Sequence, residues 1–293
     1  MKIIICGATG LLGSDCSTVL NETHEVEALG SSELDITNPA QVEDTIGALA
    51  PDIVLNCAGF TNVDACEDNR DSAWKINVDG PSYLAKSVER NGCKLIHIST
   101  DYVFDGDKEV PEPYYEHECP KPVTHYGITK LEGERTIKKS TKRYVILRTA
   151  WLYGINGLCF PKTMLKLALQ HPETELKVVN DQFGSPTWSY RLAILIERLV
   201  GLDVSGIYHA TSAGYCTWFE FASYFLNKME VPFNMAPCTS DQYPTPAKRP
   251  KNSILINSRL KEARTDIMVD WKTDVDNYVD EFRDRLLAEL GAQ

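Results

Sequence analysis

The 293-residue sequence lacks the features that mark membrane proteins and nucleic-acid-binding proteins. No apolar run approaches the ~20 residues that a membrane-spanning helix needs, and no block of basic residues stands out. The net charge is -11 and the isoelectric point is near 5.1, so non-specific binding to nucleic acid is not expected. We therefore predict neither a membrane nor a nucleic-acid partner.

The cysteines lack a recognisable pattern. They are odd in number, none forms a C-x-x-C pair, and they stand at positions 6, 16, 57, 66, 93, 119, 159, 216 and 238. Several lie inside apolar runs, which favours reduced, buried thiols over a disulfide framework or a zinc site. Met1 leads directly into an apolar run, with no signal peptide before it. We predict a cytoplasmic protein without a bound metal.

Short β-branched runs alternate with amphipathic stretches over the first 150 residues. This alternation is typical of βαβ units in a parallel sheet. Several runs are apolar throughout, as expected for strands buried on both faces. The predicted strands are Lys2–Cys6, Glu25–Leu29, Asp52–Cys57, Lys94–Ser99 and Tyr144–Arg148. The predicted fold class is α/β, a Rossmann-type doubly wound parallel sheet with a smaller C-terminal α/β substrate domain.

Helices are expected between these strands. Asn38-Pro39 predicts a helix start, because a capping residue is followed by proline at the first helical position. A long helix is expected around Asp71–Arg90. After Trp151 the composition changes, and prolines cluster at 161, 172 and 186 and again at 237, 244, 246 and 250. We predict a dinucleotide-binding domain in residues 1–150, rejoined by a strand near 206–210, and a mainly substrate-binding domain in residues 151–293.

A glycine-rich segment, Gly7-Ala-Thr-Gly10-Leu-Leu-Gly13, follows the first predicted strand and opens a helix. Such glycines permit a tight turn, close approach of the backbone to a pyrophosphate, and close packing of helix on strand. The helix N-terminus adds free amides and partial positive charge for the phosphates. We predict that Gly7, Gly10, Leu11, Leu12 and Gly13 contact a nicotinamide dinucleotide.

The second predicted strand bears on the choice between NADH and NADPH. NAD-specific sites carry an acid on the ribose about 20 residues past the glycines. This strand ends in Gly30-Ser31-Ser32, without an acid at its tip, while Glu27 lies in mid-strand and is expected to point away. No arginine or lysine is present there to hold a 2′-phosphate. Either cofactor is therefore open, with a slight lean to NADPH.

The ends of later strands supply further predicted cofactor contacts. Gly30 and the loop residues Asp35 and Ile36 are expected to line the adenosine, although Asp35 fits equally well as a turn residue. The path toward the nicotinamide ribose is expected to be lined by Gly59, Phe60 and Thr61, which follow the third strand.

Tyr126 and Lys130 stand four residues apart and so share one face of a helix. An ammonium beside a phenol favours the phenolate, so we expect Lys130 to lower the pKa of Tyr126 and make it a usable general acid or base. Thr100 and Asp101 end a buried strand upstream of this pair. With the glycine-rich turn, this pattern predicts a nicotinamide-dependent reductase.

Longer blocks carry a more specific resemblance. They are Asp35-Ile-Thr-Asn-Pro39, Asn62-Val-Asp-Ala-Cys-Glu67, Ser99-Thr-Asp-Tyr-Val-Phe-Asp-Gly106, Tyr126-Gly-Ile-Thr-Lys-Leu-Glu-Gly-Glu134, Arg148-Thr-Ala-Trp-Leu-Tyr-Gly154, Val179-Asn-Asp-Gln-Phe-Gly-Ser-Pro-Thr187 and Pro244-Thr-Pro-Ala-Lys-Arg-Pro-Lys-Asn-Ser253. With these blocks the chain resembles, nearly from end to end, the extended short-chain dehydrogenase/reductases and, among them, the dTDP-4-dehydrorhamnose reductase family.

The resemblance implies NAD(P)H-dependent reduction of the C4 keto group of dTDP-4-dehydro-L-rhamnose. It implies that Tyr126 donates the proton, that Lys130 lowers its pKa and holds the nicotinamide ribose, and that Thr100 hydrogen-bonds the reacting oxygen. Asp101 and Trp151 are expected to contact the sugar, although Trp151 is also compatible with a core aromatic between domains.

Two positions depart from the family pattern. Several members pair through Mg²⁺ held by carboxylates, but Tyr190 stands where we expect one such glutamate, so no metal is predicted. A monomer and a homodimer both stay open. Phe60 stands where we expect a histidine.

Three alternatives share parts of this pattern. A sugar-nucleotide 4,6-dehydratase needs a glutamate after Thr-Asp, and this chain has Tyr102 there. A sugar-nucleotide epimerase uses the same tyrosine and lysine but retains NAD, for which the selecting acid is absent. A non-catalytic NADP-binding regulatory subunit, resembling the β subunit of methionine adenosyltransferase, also keeps the Tyr/Lys pair; Thr100, Trp151 and Arg249-Pro-Lys-Asn-Ser253 favour the enzyme.

Overall fold

A parallel sheet of six strands forms the centre of the protein, in the order β10-β5-β4-β3-β1-β2. The computed structural model describes residues 1–291. Within that range the strands, including short pairs outside the central sheet, are β1 Lys2–Cys6, β2 Glu25–Leu29, β3 Ile53–Asn56, β4 Lys94–Thr100, β5 Tyr144–Thr149, β6 Leu152–Tyr153, β7 Leu176–Val179, β8 Phe183–Gly184, β9 Thr187–Trp188, β10 Gly206–His209, β11 Cys216–Thr217 and β12 Met235–Cys238.

Helices cover both faces of the central sheet, as in doubly wound proteins. In the described chain they are α1 Leu11–Leu20, α2 Pro39–Leu49, α3 Val63–Asp68, α4 Arg70–Trp74, α5 Gly80–Asn91, α6 His125–Ser140, α7 Phe160–Gln170, α8 Ser189–Val200, α9 Trp218–Lys228, α10 Ser258–Glu262 and α11 Trp271–Gly291. The predicted fold class, a Rossmann-type parallel sheet, is confirmed.

The inner strands are apolar throughout because both of their faces are covered. The register brings their carboxyl ends to one edge: Cys6 of β1 aligns with Leu29 of β2 and Asn56 of β3. Farther along the sheet, Thr100 aligns with Thr149 of β5. The loops after these strands therefore collect at one edge, where open α/β sheets bind their ligands.

The helix predicted to begin at Asn38-Pro39 is confirmed. The Asn38 side chain accepts hydrogen bonds from the backbone amides of Ala40 and Gln41, and Pro39 is the first helical residue. The long helix expected around Asp71–Arg90 differs in one respect. It consists of α4 and α5 joined by a π-helical turn, Lys75–Asp79, which points Asn77 into the protein.

The second half of the chain builds its own hydrophobic cluster around α7, α9 and α11. Two elements of this second half instead belong to the central sheet and to the helices that cover it. Strand β10 pairs in parallel with β5, and α8 packs against α1. Both β10 and α8 lie after residue 150 in the sequence, yet they complete the central sheet and one of its helical layers. The predicted domain boundary at residue 150 therefore stays an interpretation.

Candidate active site

The glycine-rich turn connects β1 to α1 at the carboxyl edge of the sheet. Gly7 has φ +74°, and a Cβ there would lie 2.7 Å from the amide nitrogen of Ala58. A Cβ at Gly13 would overlap the carbonyl oxygen of Gly7, so only glycine permits this contact of helix and turn. Gly10 is the N-cap of α1, and no side chain in the described chain caps this end of the helix. The turn and the first amides of α1 thus fit a pyrophosphate.

The leucines predicted beside these glycines point in different directions. Leu12 is buried in the cluster under the sheet, whereas Leu11 packs against the cluster of the second half. Their backbone amides lie at the start of α1. Any cofactor contact from Leu12 therefore comes from its backbone, because its side chain serves the core.

An acid stands at the tip of β2, contrary to the sequence-based reading of that strand. Glu33 folds back so that its Oε2 accepts a hydrogen bond from the Gly30 amide at 2.9 Å, and its Oε1 accepts one from Ser32 at 2.8 Å. Hydrogen bonds from Ser32 and Gly30 lower the pKa of Glu33. A Cβ at Gly30 would lie 3.1 Å from Cγ2 of Thr9 in the glycine-rich turn. The carboxylate is therefore charged and adjoins the turn.

The loop residues Asp35 and Ile36 both have structural partners. Asp35 Oδ1 accepts hydrogen bonds from the amide and the hydroxyl of Thr37, at 2.9 and 2.8 Å. The Ile36 side chain is buried against Gly80. Their predicted contacts to an adenosine stay predictions, and the turn role of Asp35 is present.

Asn77 fixes the loop after β3, which contains Gly59, Phe60 and Thr61. Its Oδ1 accepts from the Phe60 amide at 2.8 Å, and its Nδ2 donates to the Phe60 carbonyl and to the Thr129 hydroxyl of α6, both at 3.0 Å. The sequence analysis missed Asn77, because the π-helical turn that aims it inward leaves no clear periodicity. Thr61 is exposed.

Tyr126, Thr100 and Asp101 meet where β4 ends beside the start of α6. All three are buried, with exposures of 8%, 5% and 3%. The Thr100 hydroxyl donates to Asp101 Oδ1 at 2.9 Å and lies beside the Tyr126 phenol, whose pKa it lowers. Among the described residues, Asp101 Oδ2 has no hydrogen-bond partner; the Ser253 hydroxyl faces this carboxyl without completing a bond to that oxygen. The sequence-predicted catalytic and sugar-contacting groups thus include one buried oxygen available to a ligand.

The pKa of Tyr126 differs in direction from the sequence-based expectation. Burial raises it, the neighbouring Thr100 hydroxyl lowers it, and the negative charge of Asp101 raises it further, for a net rise. Lys130 instead directs its ammonium to the Ile98 carbonyl oxygen, 2.6 Å away. The groups of the protein itself therefore keep Tyr126 protonated at neutral pH.

Lys130 is buried with its nitrogen beside the loop after β3. A Cβ at Gly59 would lie 3.9 Å from Lys130 Nζ, and His97 Nε2 lies 3.5 Å from that nitrogen. Burial lowers the pKa of Lys130 to about 8, while the charge of Glu134 opposes this decrease. The structure thus places the Lys130 ammonium beside Gly59, one turn of α6 from Tyr126.

Trp151 stacks on Trp218 of α9, with ring centroids 3.5 Å apart and planes 8° apart. Trp151 has φ +49°, unusual for a bulky residue. A Cβ at Gly184 would overlap its indole, so Gly184 makes room for the ring. The sequence analysis singled out Trp151 but missed Trp218 and the purpose of Gly184. Both the predicted sugar contact and the alternative interdomain packing remain compatible with a half-buried indole.

The segment 244–253, here called the tail segment, crosses this edge. Ser253 donates its amide to Phe183 O, and Pro250 packs on Gly106, whose φ is +78°. Arg249 pairs with Asp64 of α3. The tail segment therefore links the second half of the chain to the loops that hold Thr100 and Tyr126.

Residues 1–291 contain no cluster of three or more His, Cys, Asp or Glu side chains placed to hold a metal ion. Tyr190, at the position where the family pattern suggested a glutamate, packs against Trp188. Over the same residues, every helix is too short or too polar to cross a bilayer.

The sheet order, glycine-rich turn and Tyr/Lys helix define the short-chain dehydrogenase/reductase class. A family model described as the RmlD substrate binding domain matches residues 1–284. The chain belongs to the dTDP-4-dehydrorhamnose reductase family.

Individual relatives match over nearly their full length. A dTDP-4-dehydrorhamnose reductase of Burkholderia thailandensis is 36% identical, covering 93% of this chain and 96% of the relative. The spore coat polysaccharide biosynthesis protein SpsK of Bacillus subtilis is 39% identical, covering 89% and 91%. The crystal structure of a dTDP-4-dehydrorhamnose reductase from Bacillus anthracis, in complex with NADP, is 37% identical with a TM-score of 0.92, covering 96% of this chain and 99% of that one.

Proposed function

We propose that this protein catalyses the NAD(P)H-dependent reduction of the C4 keto group of dTDP-4-dehydro-L-rhamnose to dTDP-L-rhamnose. The observation that carries the proposal is the proximity of Thr100 and Tyr126, which are both buried beside Asp101 at the carboxyl edge of the sheet. Membership of the reductase family supplies the substrate, and the Bacillus anthracis relative supplies the precedent for NADP.

The nicotinamide cofactor supplies the hydride. Its pyrophosphate fits the turn from Gly7 to Gly13, where the glycines permit close approach of the backbone and no side chain in the described chain caps the start of α1. Lys130 Nζ and the backbone at Gly59 define the space for the nicotinamide ribose. NADPH and NADH are both proposed as cofactors, and Mg²⁺ is not part of the proposal.

Tyr126 is the proposed proton donor. Its raised pKa keeps the phenol protonated at neutral pH, as a donor to a developing alkoxide requires. The Thr100 hydroxyl stands beside it as a second hydrogen-bond donor toward the same oxygen, once the Thr100–Asp101 hydrogen bond is exchanged. Two fixed donors aimed at a forming oxyanion stabilise a transition state most where water is excluded, as in this buried site.

Asp101 and Trp151 are the proposed sugar contacts. The Oδ2 atom of Asp101, which lacks a partner in the described chain, is an acceptor for a sugar hydroxyl. The indole of Trp151, held against Trp218, presents an apolar edge to a deoxyhexose. We further propose a cytoplasmic location and a monomeric or homodimeric state, with a dTDP-sugar as the small-molecule partner.

The test is loss of nicotinamide absorbance when the purified protein meets dTDP-4-dehydro-L-rhamnose, with NADH and NADPH in parallel. Tyr126→Phe should bind cofactor normally and lose roughly a thousandfold in turnover, the scale expected for a positioned general acid. Tyr144→Phe is the matched control, because Tyr144 lies at the opposite, amino end of β5.

Three outcomes distinguish the remaining functions. Oxidation of cofactor by the wild type and by Tyr144→Phe, with loss in Tyr126→Phe, supports the reductase. Interconversion of sugar epimers without net oxidation of cofactor indicates an epimerase. Cofactor binding without turnover of either kind indicates the non-catalytic regulatory subunit.

A further inference from the structure

His97 connects the loop after β3 to the side chain of Lys130. It lies in β4 directly opposite Asn56 of β3 and is fully buried. Its Nδ1 lies 3.0 Å from Asn56 Nδ2, and its Nε2 lies 3.5 Å from Lys130 Nζ. The imidazole therefore lies between the side-chain amide of Asn56 and the lysine of the candidate active site.

The neighbours of Asn56 fix the tautomer of His97. The Ala58 backbone amide, which can only donate, is 3.1 Å from Asn56 Oδ1. The other terminal atom of Asn56 is therefore its amide nitrogen, a donor, and it points at His97 Nδ1. Nδ1 must then be the acceptor, so in the neutral ring the proton is on Nε2.

We propose that His97 is a positioning residue that holds an Nε2–H toward Lys130 Nζ and thereby makes the ammonium of that lysine easier to deprotonate. An N–H can donate to an amine lone pair but repels an ammonium, which has none. The inference rests on the proposed function in one respect: Lys130 is assigned there to the nicotinamide ribose.

Other charged and titratable groups also surround Lys130. Glu134, on the same helix, favours the ammonium, but Arg148 of β5 binds both of its oxygens at 2.9 and 2.7 Å. Cys57, after β3, favours the ammonium when ionised. Burial and the charge of Lys130 hold the pKa of His97 well below its ordinary value, so the ring is neutral. His97 and burial thus oppose Glu134 in setting the charge of Lys130.

Two NMR measurements on the full protein without substrate test this directly. Two-bond ¹⁵N–¹H spectra of the wild type, assigned through the backbone, report which ring nitrogen of His97 is protonated. The Lys130 titration is followed by its ¹³Cε shift, assigned with Lys130→Arg. We expect the Nε2–H tautomer; an Nδ1–H or doubly protonated ring overturns the proposal, even if no variant folds.

Two variants separate this role from a purely structural one. His97→Asn keeps an acceptor for Asn56 but removes the N–H near Lys130, and His97→Gln can place an acceptor oxygen there. Both should raise the pKa of Lys130, His97→Gln by about one unit, and the alkaline limb of kcat/KM should move with it. Loss of stability with an unmoved Lys130 titration overturns the proposal. Because the NMR readouts need no turnover, failure of the reductase proposal is detected separately.

Discussion

Arg249 of the tail segment forms a bidentate ion pair with Asp64 of α3: Nη1 lies 2.7 Å from Oδ1 and Nη2 lies 2.7 Å from Oδ2. The Ala247 amide adds a third hydrogen bond to Asp64 Oδ1 at 3.1 Å. The hydrogen bond from Arg249 holds the pKa of Asp64 below its ordinary value. This pair therefore persists through neutral pH and weakens only as the pH falls toward that lowered pKa.

The first prediction concerns this ion pair. Arg249→Lys cannot reproduce the two-point contact, so the tail segment should lose its fixed position over Asp101 and Tyr126. We expect KM for the sugar nucleotide to rise about three- to tenfold, while the midpoint of thermal unfolding changes little, because partly exposed ion pairs contribute little to stability. Steady-state kinetics and thermal unfolding measure both quantities. Arg70→Lys, in the exposed pair with Glu67, is the matched control and should leave KM unchanged; an equal rise in both variants contradicts the prediction.

Glu33 gives a prediction on coenzyme choice. Its charged carboxylate lies at the Gly30 amide, just after β2, where dinucleotide-binding sheets carry the acid that contacts the ribose. We therefore expect it to accept a hydrogen bond from a 2′-hydroxyl and to repel a 2′-phosphate. Glu33→Gln should therefore raise the ratio of kcat/KM for NADPH to that for NADH by about fivefold, the effect of removing one solvent-screened repulsion. Initial rates with each cofactor provide the ratio.

The control for Glu33 is Glu27→Gln, in the middle of β2, where the sequence also offers an acid. That variant should keep the wild-type ratio. A ratio that stays constant in Glu33→Gln, or moves equally in both variants, would assign cofactor selection to other residues.

Local patterns allowed the fold to be predicted, whereas long-range contacts did not follow from them. The strands of the first half are recognisable because burial on both faces makes them continuously apolar. The cap at Asn38 and the glycine-rich turn are likewise local signals. Glu33 was missed because its role depends on the chain folding back at β2, and the stacking of Trp151 on Trp218 joins elements far apart in sequence.

The same limit applies to the electrostatics of the candidate site. The spacing of Tyr126 and Lys130 correctly places them on one helix, α6. It does not reveal the burial that raises the pKa of Tyr126, nor the Ile98 carbonyl that receives the Lys130 ammonium. The Ile98 carbonyl belongs to β4, and Tyr126 is buried with Cys66 of α3 and Ala73 of α4. The roles of the individual site residues stay predictions until variants are measured.

The Trp151–Trp218 stack can be tested through Gly184. A methyl group there would overlap the Trp151 indole, so Gly184→Ala should displace the ring. We expect a loss of about 1–3 kcal/mol in the free energy of unfolding, as for other overpacked sites, and a higher KM for the sugar nucleotide. Gly47→Ala is the control, since the space around Gly47 in α2 is open, and it should stabilise the protein slightly. Unchanged stability and KM in Gly184→Ala would show that the ring can move at no cost.

Asp101 provides a prediction in which stability depends on pH. Burial raises its pKa to about 6, although the hydroxyls of Ser253 and Thr100 oppose the rise. A carboxyl group whose pKa is higher in the folded than in the unfolded chain binds its proton more tightly when folded. Its contribution to stability is therefore fully present below the unfolded pKa and is lost as the pH rises through about 6.

Asp101→Asn removes the charge and keeps the shape, so this variant should be more stable than the wild type at pH 8, by up to about 3 kcal/mol. The difference should shrink as the pH falls to about 3, below the unfolded pKa of about 3.9, where Asp101 is mostly protonated in both states. Denaturant unfolding at the two pH values measures it. Asp105→Asn is the control of opposite sign. Partial burial raises the pKa of Asp105, but the hydrogen bonds from Tyr114 and the Asp107 amide and the charge of Lys121 together lower it, so this variant should lose stability at pH 8. The outcome that contradicts this expectation is destabilisation of the protein by Asp101→Asn at pH 8. Ser253 and Thr100 would then stabilise the buried carboxylate more than its burial disfavours it. The unpartnered Oδ2 atom would in that case no longer be a reason to place a sugar hydroxyl there.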